Sequence, residues 1–163
     1  MPKPQPDRFK AYIMSGIPGS GKTTYIQRNF KDLCPEAWCS ADLAHMRGGK
    51  YVFDPTKARD AHHWCLRKFI RACQDGYSPV VCDNTNTTVA AIAPYVAVAQ
   101  AHGYKTEIIA FETSVEDSIR RNIHNVPEET IRKMHAEQQF LLHGQPSIPP
   151  WWKVTVHDWK ANP

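Results

Sequence analysis

The sequence predicts an α/β domain with a mostly parallel sheet and helices on both faces, a three-layer phosphate-loop fold. Three observations predict it. Short apolar runs alternate with helix-length amphipathic segments along the whole chain. The first apolar run ends on a glycine-rich loop that leads straight into a helix. The third apolar run ends on an aspartate.

The elements follow in order. Residues 1–10, rich in Pro, Lys and Gln, read as a flexible leader, and residues 11–163 as one domain. Ala11–Met14 is a buried strand, and Lys22–Phe30 is a helix with Tyr25, Ile26 and Phe30 on one face. Ala37–Cys39 is a second strand, stopped by Ser40 and Asp42; Asp42 precedes a turn at Leu43–Met46, and Gly48-Gly49-Lys50 marks a loop. Asp54 caps a helix with Pro55 at its first position, and that helix runs to about Asp75, where Gly76 ends it. Its apolar positions include Ala61, Trp64, Cys65, Phe69 and Ile70, and Trp64 is expected in the core.

Pro79–Cys82 is the third strand. Thr88–His102 is helical, with Pro94 expected to divide it. Tyr104–Phe111 is the fourth strand, and Ser114 caps a short helix with Glu116 and Asp117 in its first turn. Glu128 and Glu129 open a helix that reaches about His143. After the proline-rich stretch 146–150, Lys153–His157 alternates as a last strand.

Bulk properties bound the function. A chain of 163 residues supports one core. No apolar run approaches the length of a membrane span, so no membrane partner is expected. Five scattered cysteines without a CxxC pair argue against a disulfide framework and a zinc site, and for a reducing cytoplasm. A net charge of +4 is compatible with a polyanionic partner but does not demand one.

Gly16-Ile17-Pro18-Gly19-Ser20-Gly21-Lys22-Thr23 fits G-x-x-x-x-G-K-[ST]. Glycines let the backbone curl around phosphate with its N–H groups inward, and the helix start adds its positive dipole end. Gly16, Gly19, Ser20, Gly21, Lys22, Thr23 and Thr24 are therefore the expected nucleotide-binding residues, with ATP and Mg²⁺ as ligands. Lys22 is expected on the β- and γ-phosphates and Thr23 on the metal. Asp83 closes the third strand as a Walker-B-type acid, the second expected metal ligand, against the competing role of a turn acid. Asp42 follows the second strand, where its two candidate roles are general base and cap. Arg120 and Arg121 lie late in a short helix before a proline-containing loop, a lid around 120–127. They point about 100° apart, so one of the two is expected to face the site.

The phosphate loop, Ser40-Ala41-Asp42, Asp83-Asn84-Thr85-Asn86 and Arg121-Asn122-Ile123-His124 occur in that order. This set resembles the polynucleotide 5′-hydroxyl kinase family, which includes the phage enzyme. It is more similar still to the kinase-like domain of certain ubiquitin-ligase-binding proteins of animals, through Phe53-Asp54-Pro55 and His63-Trp64 as well. The resemblance covers roughly residues 11 to 135. It implies transfer of the ATP γ-phosphate to the 5′-hydroxyl of a DNA or RNA end. It implies Asp42 as general base and Arg121 as the lid arginine on the nucleotide phosphates, with Arg120 and His124 in the same neighbourhood. It also implies acceptor contacts at Asn84, Asn86 and His45; His45 stands where the phage enzyme has an arginine, and Arg47 is close in sequence. Trp64, Trp151, Trp152 and Trp159 are the candidates for base stacking, against packing. Two other functions fit the same residues: a small-molecule kinase acting on a sugar, nucleoside or antibiotic, and a nucleotide-gated binding module.

Overall fold

A computed structural model describes residues 9–145 and 148–158. The expected leader up to residue 8, Pro146 and Trp159 lie outside the described residues. The elements are β1 (Lys10–Ser15), α1 (Lys22–Asn29), β2 (Trp38–Cys39), a 3₁₀ turn (Ala41–His45), β3 (Met46–Arg47) and β4 (Lys50–Tyr51). A second 3₁₀ turn (Pro55–Lys57) leads into α2 (Ala58–Gln74), followed by β5 (Val80–Cys82), α3 (Val89–Ala101), β6 (Lys105–Glu112), α4 (Val115–Arg120), α5 (Glu128–His143) and β7 (Val154–Asp158).

Five strands form one parallel sheet in the order β2-β5-β1-β6-β7. From β1 the chain goes first to the edge strand β2, returns to fill the gap with β5, and then crosses to the other side of β1 to add β6 and β7. The carboxyl end of β1 is therefore the switch point at which an open α/β sheet offers a crevice.

Period-2 alternation splits the strand residues between two faces. Ala11 and Ile13 of β1, Val80 and Cys82 of β5 and Ile108 of β6 pack with Ala61, Cys65 and Phe69 of α2 and Ile92, Tyr95 and Val96 of α3. Met14, Val81, Ile109 and Phe111 face the other way, onto Ile26 of α1 with Tyr25 and Phe30 at its margin. A third cluster, Ile17 with Val115 and Ile131, joins the phosphate loop to α4 and α5. This last cluster matters for the site, because it seats α4 against the phosphate loop.

Caps expected from sequence are made. Asp54 accepts the Thr56 N–H at 3.0 Å and Ser114 accepts that of Asp117 at 3.2 Å; Thr88, read only as the first residue of its helix, also caps α3 by accepting the Ala91 N–H at 3.2 Å. Several expectations change. Lys10, read as leader, is the first residue of β1, and Phe9 packs against Tyr104 with ring centroids 5.2 Å apart. Trp64 is not in the core: it is 37% exposed on the outer side of α2, with the Lys68 ammonium 5.6 Å from its ring centroid. The period of α2 is met by Ala61, Cys65, Phe69, Ala72 and Cys73, which leaves position 64 outside the apolar stripe. Trp151 is 76% exposed, whereas Trp152 packs against the main core.

Pro94 does not divide its helix; α3 runs unbroken from Val89 to Ala101. Ile92, Tyr95, Val96 and Ala99 are buried at helical spacing, and their burial outweighs the lost hydrogen bond. Pro94 and Ala90, whose carbonyl it leaves without an N–H, both lie on the exposed side, where solvent can satisfy that carbonyl. Replacing Pro94 with Ala is expected to stabilise the domain by about 2 kcal/mol: the interior proline penalty is removed, less the entropy that proline takes from the unfolded chain. Thermal or urea denaturation of Pro94→Ala checks this, and a lower midpoint would contradict it.

Candidate active site

The phosphate loop leaves β1 and is pinned at both shoulders. The Gly16 N–H donates to the Thr85 carbonyl at 2.8 Å, tying the loop to the segment after β5. At the apex, the fully buried Ser118 of α4 donates its hydroxyl to the Pro18 carbonyl. Gly19 has φ +70, and a Cβ there would sit 2.9 Å from the Ser118 carbonyl oxygen and 3.1 Å from the Arg121 Cβ. The glycine is required twice, by its backbone angle and by the closeness of α4. Gly21, with φ 94, begins α1 without a side-chain cap, so the first N–H groups of that helix remain available to an anion.

Lys22 turns back over this loop. Its Nζ donates to the carbonyls of Gly16 at 2.8 Å and Ile17 at 3.1 Å, and approaches the Ser20 hydroxyl at 3.5 Å. Burial pushes the ammonium pKa down, while the charges of Asp83 and Asp42 oppose that shift. Asp83, at the end of β5, is buried; its Oδ2 accepts the Thr23 hydroxyl at 3.1 Å and the Trp38 indole N–H at 3.2 Å. Burial raises its pKa above the ordinary carboxylate value, and Lys22, Trp38 and Thr23 hold it back. A hydroxyl and a carboxylate side by side are hard oxygen donors of the kind Mg²⁺ takes. Among the described residues no group of three or more His, Cys, Asp or Glu side chains forms a metal cage. The donor set therefore fits a magnesium ion that draws its other ligands from phosphate and water.

A cleft of about 700 Å³ runs from this loop to the 3₁₀ turn and the lid. Asp42 lies in its far wall, on the turn that Ser40 caps by accepting the Asp42 N–H at 3.3 Å. The Asp42 side chain is 56% exposed; its Oδ1 accepts the Tyr51 hydroxyl at 3.2 Å, and its Oδ2 is 4.0 Å from Nε2 of His124. Burial, then the charge and hydrogen bond of Asp42, push the Tyr51 phenol up to about 12, so Tyr51 remains a donor.

Of the residues expected from sequence, Gly19, Ser20, Gly21, Lys22, Thr23, Thr24, Asp42, Asp83, Asn84 and Arg121 line this cleft. Gly16 lies just beneath the loop and serves as its anchor. Arg120 turns outward to an ion pair with Asp117, so of the two adjacent arginines it is Arg121 that faces the site.

Of the four expected acceptor contacts, His45, Arg47 and Asn86 lie outside the cleft lining, and Asn84 lines it with its polar atoms already bonded. His45 is buried, its ring packed 5.1 Å from Phe53 and 6.0 Å from Tyr51, and it does not line the cleft. Its apolar neighbours on the hairpin claim it. Arg47 is exposed on β3, also outside the cleft lining. Asn84 reaches the cleft wall but spends its polar atoms internally: Oδ1 accepts the Ala41 N–H at 2.9 Å, and the amide nitrogen donates to Tyr95 at 3.2 Å. It shapes the turn that carries Asp42. Asn86, with φ 42, donates to the Met14 carbonyl at 2.8 Å.

Sequence reasoning missed Trp38, Tyr51, Phe53 and His62. The last three line the cleft, and Trp38 reaches the site only through Asp83. For Tyr51 the only signal was the Gly48-Gly49 pair. Both glycines take positive φ (+53 and +79), as a two-residue hairpin requires, and that turn folds Tyr51 back over the Asp42 segment.

The sheet order, the phosphate loop after the central strand, the acid at the end of the next strand and the helix seated over the loop define a kinase-like P-loop domain. The family model described as an AAA domain matches residues 12–141, and the chain belongs to that family. Human NEDD4-binding protein 2 is 33% identical over 135 residues; the match takes in 80% of this chain and 8% of that protein's length. Among solved structures, a chain of a Pnkp1/Rnl/Hen1 RNA repair complex superposes with a TM-score of 0.65 at 18% identity, covering 86% of this chain and 47% of the other. A Chloroflexus aurantiacus chain that carries a provisional kinase name gives 0.60 at 15%, covering 93% and 89%. Among the described residues no helix is long and apolar enough to cross a membrane.

Two outcomes follow from the geometry. Gly19→Ala should abolish nucleotide binding measured by calorimetry, because the added methyl displaces α4 from the loop. Trp38→Phe removes one of the two donors on the buried Asp83 carboxylate and should cost about 1–2 kcal/mol at neutral pH. The sign with pH is fixed by burial. The folded state holds the Asp83 proton more tightly than the unfolded state, so this group lowers stability as pH rises through its titration. Losing Trp38 raises the Asp83 pKa further and extends that decline upward. Thermal melts between about pH 4 and 7 and the Asp83 side-chain ¹³C titration check both statements.

Proposed function

We propose that this chain is an ATP-dependent polynucleotide 5′-hydroxyl kinase that transfers the γ-phosphoryl of ATP to the 5′ end of a nucleic acid. The observation that carries the reading is that one cleft is lined by both the phosphate loop and Asp42, whose side chain is 56% exposed. A kinase whose acceptor is an alcohol needs that pairing. Likeness to a chain of an RNA repair complex supports a polynucleotide end as acceptor, and RNA ahead of DNA. Five free cysteines with no disulfide suit a reducing compartment, the cytoplasm.

The roles divide by chemistry. The backbone N–H groups around Gly19, Ser20 and Gly21, with the start of α1 at Lys22 to Thr24, bind the β- and γ-phosphates. The Lys22 ammonium leaves the loop carbonyls for phosphate oxygens, which offer it a stronger, charged partner. Thr23 and Asp83 would hold Mg²⁺, which would supply neutralisation of the phosphate charge. Asp42 accepts the proton of the 5′-hydroxyl as its oxygen bonds to the γ-phosphorus. The bond from that phosphorus to the bridging oxygen breaks, and ADP leaves with the electron pair. Lys22 and Arg121 stabilise the charge that spreads over the transferring group. The Asp42 proton then passes to solvent through its exposed side.

Asp42→Ala is expected to lower transfer from labelled ATP to a 5′-hydroxyl oligonucleotide by about a thousandfold or more, with ATP affinity within about twofold of wild type. Lys22→Ala should lose both. Matched RNA and DNA oligonucleotides in the same assay rank the acceptors. Full activity in Asp42→Ala would remove it as the base; oligonucleotides that neither accept phosphate nor compete would move the reading to a small alcohol acceptor.

A further inference from the structure

The lid reaches both halves of the cleft with different residues. Arg121 lies against Gly19 at the phosphate loop, while His124 stands beside Asp42 at the opposite wall. The loop between them is closed on itself. The Asn122 side chain donates to the Val126 carbonyl at 2.7 Å and accepts the Val126 N–H at 3.1 Å. Asn125 turns the tip with φ 54, a backbone angle that asparagine tolerates better than most residues. A loop tied across its base by its own side chain presents His124 in a defined place.

The geometry at that place is specific. Nε2 of His124 and Oδ2 of Asp42 are 4.0 Å apart, too far for a hydrogen bond to each other. An oxygen about 2.8 Å from each completes a triangle over that gap. The other oxygen of Asp42 is already taken by the Tyr51 hydroxyl at 3.2 Å, which leaves Oδ2 for a ligand. The same tyrosine carries the His124 ring against its own, with centroids 4.3 Å apart. Tyr51 therefore touches both members of the pair, once by hydrogen bond and once by ring contact. Its backbone is set by the hairpin, and His45, buried behind it, packs that hairpin down.

We infer that Asp42 and His124 form a two-point seat for the acceptor hydroxyl, and that Tyr51 is the positioning residue for both. This rests on the kinase reading above. Oδ2 of Asp42 takes the hydroxyl proton. The Nε2–H of His124 donates to one lone pair of the hydroxyl oxygen and keeps its proton throughout. The remaining lone pair is thereby aimed at the γ-phosphorus held by the phosphate loop. His124 is thus a catalytic residue of the acceptor half, where sequence alone left it as one of three candidates for the transferring phosphate. Seating one end of the lid on the donor loop and the other on the acceptor hydroxyl also makes the lid geometry depend on both substrates.

The test is steady-state kinetics with ATP and a 5′-hydroxyl RNA oligonucleotide varied separately. His124→Ala is expected to raise the acceptor KM and lower kcat, each about tenfold, with the ATP KM unchanged. His124→Gln, which sets an amide N–H near the position of Nε2, should recover most of the loss. His124→Asn, whose amide falls near Nδ1, should not. Tyr51→Phe keeps the ring contact and loses the hydroxyl; it should lower kcat about tenfold without changing the melting temperature. Wild-type acceptor kinetics in His124→Ala, a raised ATP KM instead of a raised acceptor KM, or Gln and Asn variants that both equal Ala would overturn the seat. A wild-type protein that phosphorylates no oligonucleotide would remove the acceptor reading itself, and the seat with it.

Discussion

The Asp83 carboxylate is the point on which the rest of the site depends. It is a buried charge at the end of a three-residue strand, and burial alone favours its neutral form. Three groups counter that: the Thr23 hydroxyl from α1, the Trp38 indole from β2 and the Lys22 ammonium from the phosphate loop. They come from two separate parts of the chain, the start of α1 and the strand β2, and the sheet order β2-β5-β1 makes them neighbours. The strand pairing that satisfies backbone hydrogen bonds thus also assembles the groups that tolerate a buried anion. Lys22 is held in the complementary way. Burial weakens its charge, and the two carboxylates restore it.

The two halves of the cleft are built on different physical terms. The donor half is backbone: glycine angles, a helix start and carbonyls, pinned by Thr85 behind and Ser118 above. Such a surface recognises phosphate by geometry and has little freedom to vary. The half around Asp42, which the proposed reading gives to the acceptor, is made of a single 3₁₀ turn, two two-residue strands and the loop after α4. None of these is long enough to be stable through its own hydrogen bonds. They are held by side chains instead. Asn84 fixes the start of the Asp42 turn, Tyr51 bridges to Asp42 and His124, and Asn122 closes the lid loop. Exposed apolar groups, Phe53 at 55% and Ile123 at 83%, rim the same half. That combination of side-chain ties and open apolar surface suits a site whose acceptor covers part of it.

The corrected residues share one cause. His45, Asn84 and Asn86 are polar residues within or next to the motifs, and the family resemblance implied ligand contacts for them. Each instead answers an internal demand. A buried backbone N–H at Ala41 needs an acceptor, the Met14 carbonyl needs a donor, and the hairpin needs a flat group to pack on. Pro94 is the same lesson in a helix: a local rule yielded to four buried side chains on the opposite face.

The sequence by itself determined the elements whose signal is local. Alternation and apolar runs marked the five strands of the main sheet, the capping residues Asp54 and Ser114 marked the starts of the helical segments that follow them, and eight consecutive residues spelled the phosphate loop. It also determined the donor chemistry to be expected, because phosphate binding by a loop and a helix start is a property of neighbouring residues. The tertiary structure alone decided which side chains share the acceptor half. Tyr51, His124 and Asp42 lie on a hairpin, a lid loop and a 3₁₀ turn, and no period connects them. Their meeting depends on a Gly-Gly turn folding one way and on α4 seating over Gly19. Both are matters of packing between distant segments, which a one-dimensional pattern does not carry.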